Sequence, residues 1–231
     1  MGVIKIKERF IMNGIEINFP DRNNYDMSKI GELALYETHL DYYALKGLID
    51  TTNDSVRKML ETYRMDIVLA DDFGDMHTSS KVITSQTLYS ARVIPMAYAS
   101  ILLMIISTLE EAFNRLCTSY CIKKQYPVQY KDLRGQGLDR AITYLDKVVG
   151  IKGIKQNPNW DFVKTARDAR NIVVHNGGRT DDSDKLKFEK YDFNIREEDN
   201  QLMFDYEKIL EIFNGVVQFT DSVFKTEPEQ S

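Results

Sequence analysis

The chain has 231 residues, 43% of them hydrophobic and 28% charged, with a formal net charge of −5. That is the make-up of an ordinary folded soluble chain, long enough for one sizeable domain with an appended element. The acidic balance argues against tight non-specific nucleic-acid binding through bulk charge, while leaving room for a local basic site. Cys117 and Cys121 are the only cysteines. Four apart on a predicted helix, they exclude a disulfide framework and do not suit a zinc site.

No apolar stretch follows the opening MGVIKIKERF. No signal peptide is therefore expected, and the expected location is the cytoplasm. Val3 to Lys7 and Ile15 to Phe19 alternate weakly around Asn13-Gly14, which predicts a short β-hairpin or extended arm. Helices are expected over Glu32–Ile49 and Ser55–Ala70, separated by the cap-rich break Asp50-Thr51-Thr52-Asn53-Asp54. Asp71 to Asp75 reads as a solvated turn, because it lacks the alternating ligand spacing of a calcium loop.

Thr84 to Cys121 is the longest predicted helical region, with Pro95 as a candidate bend. Val93 to Leu109 carries no charge over 17 residues. A membrane span needs roughly 20 apolar residues, and this stretch holds Pro95, Tyr98, Ser100, Ser107 and Thr108. It reads as a bundle helix buried on most sides, with a lipid-facing helix as the competing reading. Asp132 to Gly137 forms a turn into a short helix that ends at Gly150. Its Gly-x-Gly lacks the third glycine and the Lys-Ser/Thr of a phosphate loop. After the polar loop Arg179–Lys185, strands are expected at Leu186–Asp192, Phe193–Ile195 and Gln201–Phe204. Tyr206 to Phe224 is a last amphipathic helix, and residues 226–231 are a tail expected to be disordered.

The stretch with chemistry in it is Pro158 to Gly178. Asn157 or Asn159 can cap a helix there, and Gly177-Gly178 end it. Phe162, Val163, Ala166, Ala169, Ile172 and Val173 recur at core-facing spacing. Lys164, Arg167, Asn171 and His175 share another stripe. Arg170 precedes His175 by five positions, about 140° around an ideal helix. The arginine must reach around, or the last turn must loosen. An arginine offers a donor fork for a phosphate, a histidine moves a proton near neutral pH, and an asparagine can hold either in place. These are the parts for cleaving RNA by its own 2′-hydroxyl. The bland reading of His175 is a cation at a helix C-terminus. His39 and His77 have no metal-ligand partners at useful spacing.

The run Arg170-Asn171-Ile172-Val173-Val174-His175 resembles the signature of the HEPN superfamily, Arg-x(4–6)-His with a polar residue after the arginine. The resemblance extends over residues 85–225: the apolar helix carrying Glu110-Glu111, the Asp132–Gly137 turn, the glycines after the histidine, and the strand piece before a closing helix. It implies a mainly all-α fold, a HEPN-like helical bundle at 81–225 with a small β-hairpin. Residues 1–80 become an N-terminal appendage of unassigned role.

The resemblance also implies a metal-independent endoribonuclease, needing no cofactor, of the kind found among bacterial toxins and anti-phage effectors. Arg170 would contact the scissile phosphate, His175 would handle the proton, and Asn171 would support the pair. Glu110 or Glu111 would orient Arg170 in such a site. Partners implied are RNA, a second copy forming a homodimer whose two motifs face one cleft, and an antitoxin or defence-system protein; no membrane is implied. Paired copies of Lys164, Arg167 and Arg179 would supply a basic groove for RNA. A subset of the family carries a tyrosine two residues after the histidine; Gly177 stands there here. The competing reading is a non-catalytic HEPN-like dimerisation or partner-binding module.

Overall fold

The computed structural model describes residues 9–12, 15–18, 20–72 and 76–229. The fold is mainly α. Strands β1 (Arg9–Met12) and β2 (Ile15–Asn18) precede α1 (Ile30–Asp72) and α2 (Met76–Leu88). Then come α3 (Ile94–Lys124), α4 (Gly137–Tyr144), α5 (Trp160–Asn176) and α6 (Asp182–Glu189). Strands β3 (Asn194–Arg196) and β4 (Gln201–Met203) lead into the closing α7 (Tyr206–Phe224).

The opening hairpin uses a different first strand from the one expected. β1 pairs antiparallel with β2 in the register Phe10↔Ile17 and Met12↔Ile15. That register leaves only Asn13-Gly14 between the strands, and a two-residue connection requires the partner strand to be adjacent in sequence. The expected strand Val3–Lys7 lies outside the described residues, as do most of the Asp71–Asp75 turn and the end of the tail.

Two other expectations are corrected. No break interrupts α1, which runs unbroken for 43 residues through Asp50–Asp54. The polar side chains there find tertiary partners instead of capping: Asp50 accepts from the Tyr206 hydroxyl at 3.2 Å, and Asn53 from the Tyr98 hydroxyl at 3.1 Å. Leu186–Asp192 is not a strand. Asp181 accepts from the Asp184 N–H at 3.0 Å and starts α6, whose helix runs to Glu189. A side-chain cap of this kind removes one of the four orphan donors at a helix start.

Pro95 is accommodated by a π turn over Tyr89–Val93, with the Ile94 N–H returning to the Tyr89 carbonyl. A proline lacks the N–H that the preceding turn would bond, so a widened turn re-routes the ladder. A second π turn, Leu145–Val149, carries α4 to Gly150, whose φ of 88° ends it.

The chain forms two contact units. The first holds residues 1–47, 107–161 and 215–231; the second holds 48–106 and 162–214. The core of the first is aromatic. Phe113 stacks on Phe219 at 5.5 Å and meets Phe224 edge-on at 5.3 Å, with Trp160 against Phe219 at 5.7 Å. Such pairs add about 0.5–1.5 kcal/mol each beyond burial alone. Gly31 lets α1 approach α7 closely: a Cβ there would stand 2.0 Å from the Phe224 carbonyl oxygen. The core of the second unit gathers Ile101, Leu102 and Ile105 of α3 with Val163, Ala166 and Ala169 of α5 among its buried residues. Phe188, Phe193 and Phe204 form a chain of ring contacts around α6 and the β3–β4 hairpin.

The run Ser80–Lys124 is the one helix among the described residues long and apolar enough to cross a membrane, with a window of mean hydropathy 1.8 that is 39% buried. Burial on most sides, expected for this helix, holds only in part. Tyr98, Ile101, Leu102, Ile105, Ile106 and Leu109 are buried, but Val93, Met96 and Met104 are exposed along another stripe.

Candidate functional site

Helix α5 begins where the sequence placed it. The Asn157 side chain accepts from the Asn159 N–H at 2.9 Å, and the Trp160 N–H returns to the Asn157 carbonyl at 2.9 Å. The apolar stripe is buried at Val163, Ala166, Ala169 and Ile172. Phe162 and Val173, also expected there, are only half-buried; Phe162 packs on Tyr191 at 5.4 Å. Gly177 and Gly178 have φ of 61° and 88°, and the Gly178 N–H closes back on the Ile172 carbonyl at 3.1 Å. Left-handed residues of this kind end a helix cheaply only when they are glycine.

On this helix Arg170 and Asn171 are half-buried and His175 is exposed in the last turn. The last turn does not loosen, since α5 stays α-helical to Asn176. Arg170 instead turns to its neighbour: its Nη1 donates to Asn171 Oδ1 at 3.0 Å. Asn171 and His175, four apart, lie on one face. Asn171 thus holds the guanidinium and shares a helix face with the imidazole. The Arg170 Nε is buried with no hydrogen-bond partner among the described residues. A buried guanidinium N–H left unbonded costs about 1–3 kcal/mol, so the arginine is held here at some expense.

The His175 end of α5 is clamped from outside the helix. The segment that follows it bonds to β4 and the residue before it: the Leu202 N–H meets the Gly178 carbonyl at 2.9 Å, and the Thr180 N–H meets the Asn200 carbonyl at 2.9 Å. Gln201 Nε2 reaches the Gly177 carbonyl at 3.4 Å. The other end of that amide accepts from Arg196 Nη2 at 2.6 Å, and Arg196 grips Asp199 through both oxygens at 2.8 and 2.7 Å. That ion pair holds the Asp199 carboxyl below its ordinary range, and Arg179 lowers it further. A line of polar contacts therefore runs from Asp199 through Arg196 and Gln201 to the turn after His175. The sequence marked this segment only as a hairpin turn; nothing local predicts that its glutamine reaches back to Gly177.

The basic residues expected to bind RNA are not equivalent. Lys164 and Arg179 are exposed. The Arg167 side chain is only 13% exposed and lies 4.0 Å from Asp168. Asp168 is also paired with Lys187 of α6. Arg167 is drawn into the fold, and Arg179 faces the field of Asp199.

Glu110 and Glu111 lie in the first unit, Arg170 and His175 in the second. Glu111 is exposed and Glu110 half-buried. The Glu110 carboxylate lies at the start of α4, where a Cβ on Gly137 would meet its Oε1 at 2.7 Å. A carboxylate at a helix N-terminus is favoured by the macrodipole.

A second polar chain went unseen in the sequence. His39 Nε2 lies 2.7 Å from Asp221 Oδ1, and the Tyr25 hydroxyl lies 2.5 Å from His39 Nδ1. A carboxylate only accepts, so Nε2–H donates to Asp221, and in the neutral imidazole Tyr25 donates to Nδ1. Burial and the Asp221 charge push the Tyr25 phenol up to about 12. The chain ties residues 20–25 and α1 to α7. His39 therefore has an acidic partner 182 positions away, a separation at which sequence spacing carries no signal. No cluster of three or more metal-ligating side chains exists among the described residues.

No family model, curated protein or solved structure matches this chain.

Proposed function

We propose that the chain is a metal-independent endoribonuclease of HEPN type, acting in the cytoplasm as a toxin or anti-phage effector. The observation that carries this reading is the Arg170–Asn171 hydrogen bond on the helix that ends at exposed His175. In this reading the RNA 2′-oxygen attacks the adjacent phosphorus and the P–O5′ bond breaks. The products are a 2′,3′-cyclic phosphate and a 5′-hydroxyl. Arg170 binds the non-bridging oxygens as charge builds on them, and His175 moves the proton between the 2′-hydroxyl and the departing 5′-oxygen. Asn171 positions Arg170 without touching the reacting atoms. A homodimer that brings two motifs to one cleft would concentrate the charge of Lys164 and Arg179.

The test is cleavage of a mixed RNA pool in EDTA by the full chain and by His175→Ala, with the product ends analysed. Cutting to cyclic-phosphate ends that is lost in the variant supports the reading. Equal activity in both removes His175 from the chemistry.

The second reading is a non-catalytic module that binds a protein partner. The withdrawal of Arg167 toward Asp168 favours it, because it takes one cation from the groove that RNA would need. Silence of the wild type toward RNA in the same assay would favour this module.

A further inference from the structure

The loop that joins α3 to α4 gathers cations that no carboxylate claims. It begins at Gln125, whose φ is 54°, and lies wholly in the first contact unit. Its middle is a short turn of tight helix, Tyr130–Asp132. Lys131 and, from α4, Arg140 both stand over the Tyr130 ring: Lys131 Nζ is 6.0 Å and Arg140 Cζ 5.4 Å from its centre. Gly135 brings a third cation alongside. A Cβ built on Gly135 would lie 3.7 Å from Arg140 Cβ, so the loop passes α4 closely just after exposed Arg134. The φ of Gly135 there is 105°, a conformation that strains residues with a side chain.

None of Lys131, Arg134 and Arg140 forms an ion pair among the described residues. The nearby carboxylates are placed otherwise. Asp132 accepts from the Gln129 N–H at 2.9 Å. Glu110 stands at the start of α4, against Gly137. Asp139 is next to Arg140 on α4, and adjacent helical side chains diverge. A ring face attracts a cation and leaves its charge intact, whereas a carboxylate would cancel it. Two cations on one ring therefore repel, and a shared anion relieves them. Two buried polar atoms add to this. Arg140 Nε and the Tyr144 hydroxyl have no hydrogen-bond partner among the described residues. Both residues pack on Tyr130, with Tyr144 edge-on at 6.4 Å. Orphaned buried polar atoms are rare in folded proteins, and a bound ion is one reason for them.

We propose that Lys131, Arg134 and Arg140 form an anion site that takes an oligophosphate group, free or carried by a nucleotide. Three cations match a group with several negative charges better than a single monoanion, and an arginine fork suits phosphate oxygens. The holding groups are side chains. A phosphate loop would instead use the backbone N–H groups at the start of α4, where Glu110 already stands. An RNA strand fits less well, because its charges are strung along a path while Lys131 and Arg140 converge on one ring. A flat anionic membrane also fits less well, since Arg140 is half-buried. The site is independent of the nuclease reading, because it uses no residue of the contact unit that holds Arg170 and His175.

The test is isothermal titration calorimetry of the full chain in EDTA, for wild type and for Lys131→Ala/Arg134→Ala. The probes are sodium tripolyphosphate, ATP, a single-stranded RNA and phosphatidylserine vesicles. The expected result is saturable binding of tripolyphosphate or ATP by wild type. The variant should bind at least about tenfold more weakly, since a hydrogen bond to a charged group is worth a factor of that order. Tighter binding of ATP assigns the nucleotide as the source of the group, and tighter binding of tripolyphosphate assigns the free anion; either upholds the site. No saturable binding of the two up to about 1 mM, or equal binding by wild type and variant, overturns it. Binding confined to the RNA or to the vesicles also overturns it, in favour of a nucleic-acid or membrane contact. Should the variant misfold, hydrogen exchange on the wild type decides. Slower exchange over residues 125–144 with tripolyphosphate upholds the site, and slowing elsewhere or nowhere overturns it.

Discussion

Arg170 is bonded to the residue beside it rather than to His175: its Nη1 donates to Asn171 Oδ1 at 3.0 Å. Side chains of adjacent helical residues normally diverge, so this bond fixes the guanidinium on the face where His175 lies. Asn171→Ala frees the arginine to swing away. A hydrogen bond to a charged group in a half-buried place is worth about 1.5 kcal/mol, so RNA cleavage should fall roughly tenfold. Asn171→Asp keeps an acceptor and should retain more activity than the alanine variant. The check is single-turnover cutting in EDTA, with circular dichroism to confirm equal folding. Equal activity of Asn171→Ala and wild type would remove the positioning role.

Two helical glycines on α1 make opposite predictions. At Gly31 a Cβ would stand 2.0 Å from a backbone oxygen of Phe224, which cannot turn aside. Gly31→Ala should cost about 1–3 kcal/mol, as overpacking does. At Gly47 an added Cβ meets nothing within 4 Å. Gly47→Ala should stabilise by about 0.5–1 kcal/mol, through helix propensity and a less flexible unfolded chain. For a chain of this length about 1 kcal/mol moves Tm by roughly 2–4 °C. Thermal unfolding of the pair reads both signs, and a Gly31→Ala chain as stable as wild type would refute the close approach.

What the sequence could reveal was local. α7 was legible to the residue because its apolar spacing runs from Tyr206 to Phe224; its Asp205 cap, whose carboxylate accepts the Lys208 N–H at 2.8 Å, was not read from the sequence. The ends of α5 were legible for the same reason, through Asn157 and the two glycines. Misreadings came where residues used distant partners. Asp50 and Asn53 look like caps, yet their acceptors are taken by Tyr206 and Tyr98. Leu186 and Phe188 alternate like a strand, yet Leu186 is 77% exposed and only Phe188 is core. In the candidate site, Arg170 and Asn171 were visible as neighbours. The brace from Asp199 to Gly177 was not, because it depends on a hairpin folding back over the helix end.

Alkaline stability should depend on Tyr25. Its folded pKa is raised from 10.0 to about 12 by burial first, then by Asp221. A raised folded pKa means the native state holds the proton more tightly than the unfolded chain. The stability this contributes is fully present below pH 10 and is lost as pH rises through about 12. Tyr25→Phe should flatten part of that loss; Tyr120, also raised to about 12, retains its own share. Chemical denaturation at pH 9 and above, set against ultraviolet titration of the phenols, measures this. An unchanged pH slope in Tyr25→Phe would count against the half-buried bond to His39.

The two thiols should behave as different chemical species although they are one helical turn apart. Cys117 is fully buried, lies 3.6 Å from the Ala141 carbonyl, and has its ionisation pushed well up by desolvation. Cys121 is half-buried. Only the thiolate attacks a disulfide reagent, and it needs access. At neutral pH a thiol reagent should therefore label Cys121 on the native chain and reach Cys117 only through unfolding. The native-state signal should vanish in Cys121→Ser and persist in Cys117→Ser. Adding denaturant to the wild type should expose the second equivalent with the unfolding transition itself. Simultaneous reaction of both thiols in buffer would mean that the packing of α3 on α4 opens far below the global unfolding free energy, and the core described around Phe113 would have to be redrawn.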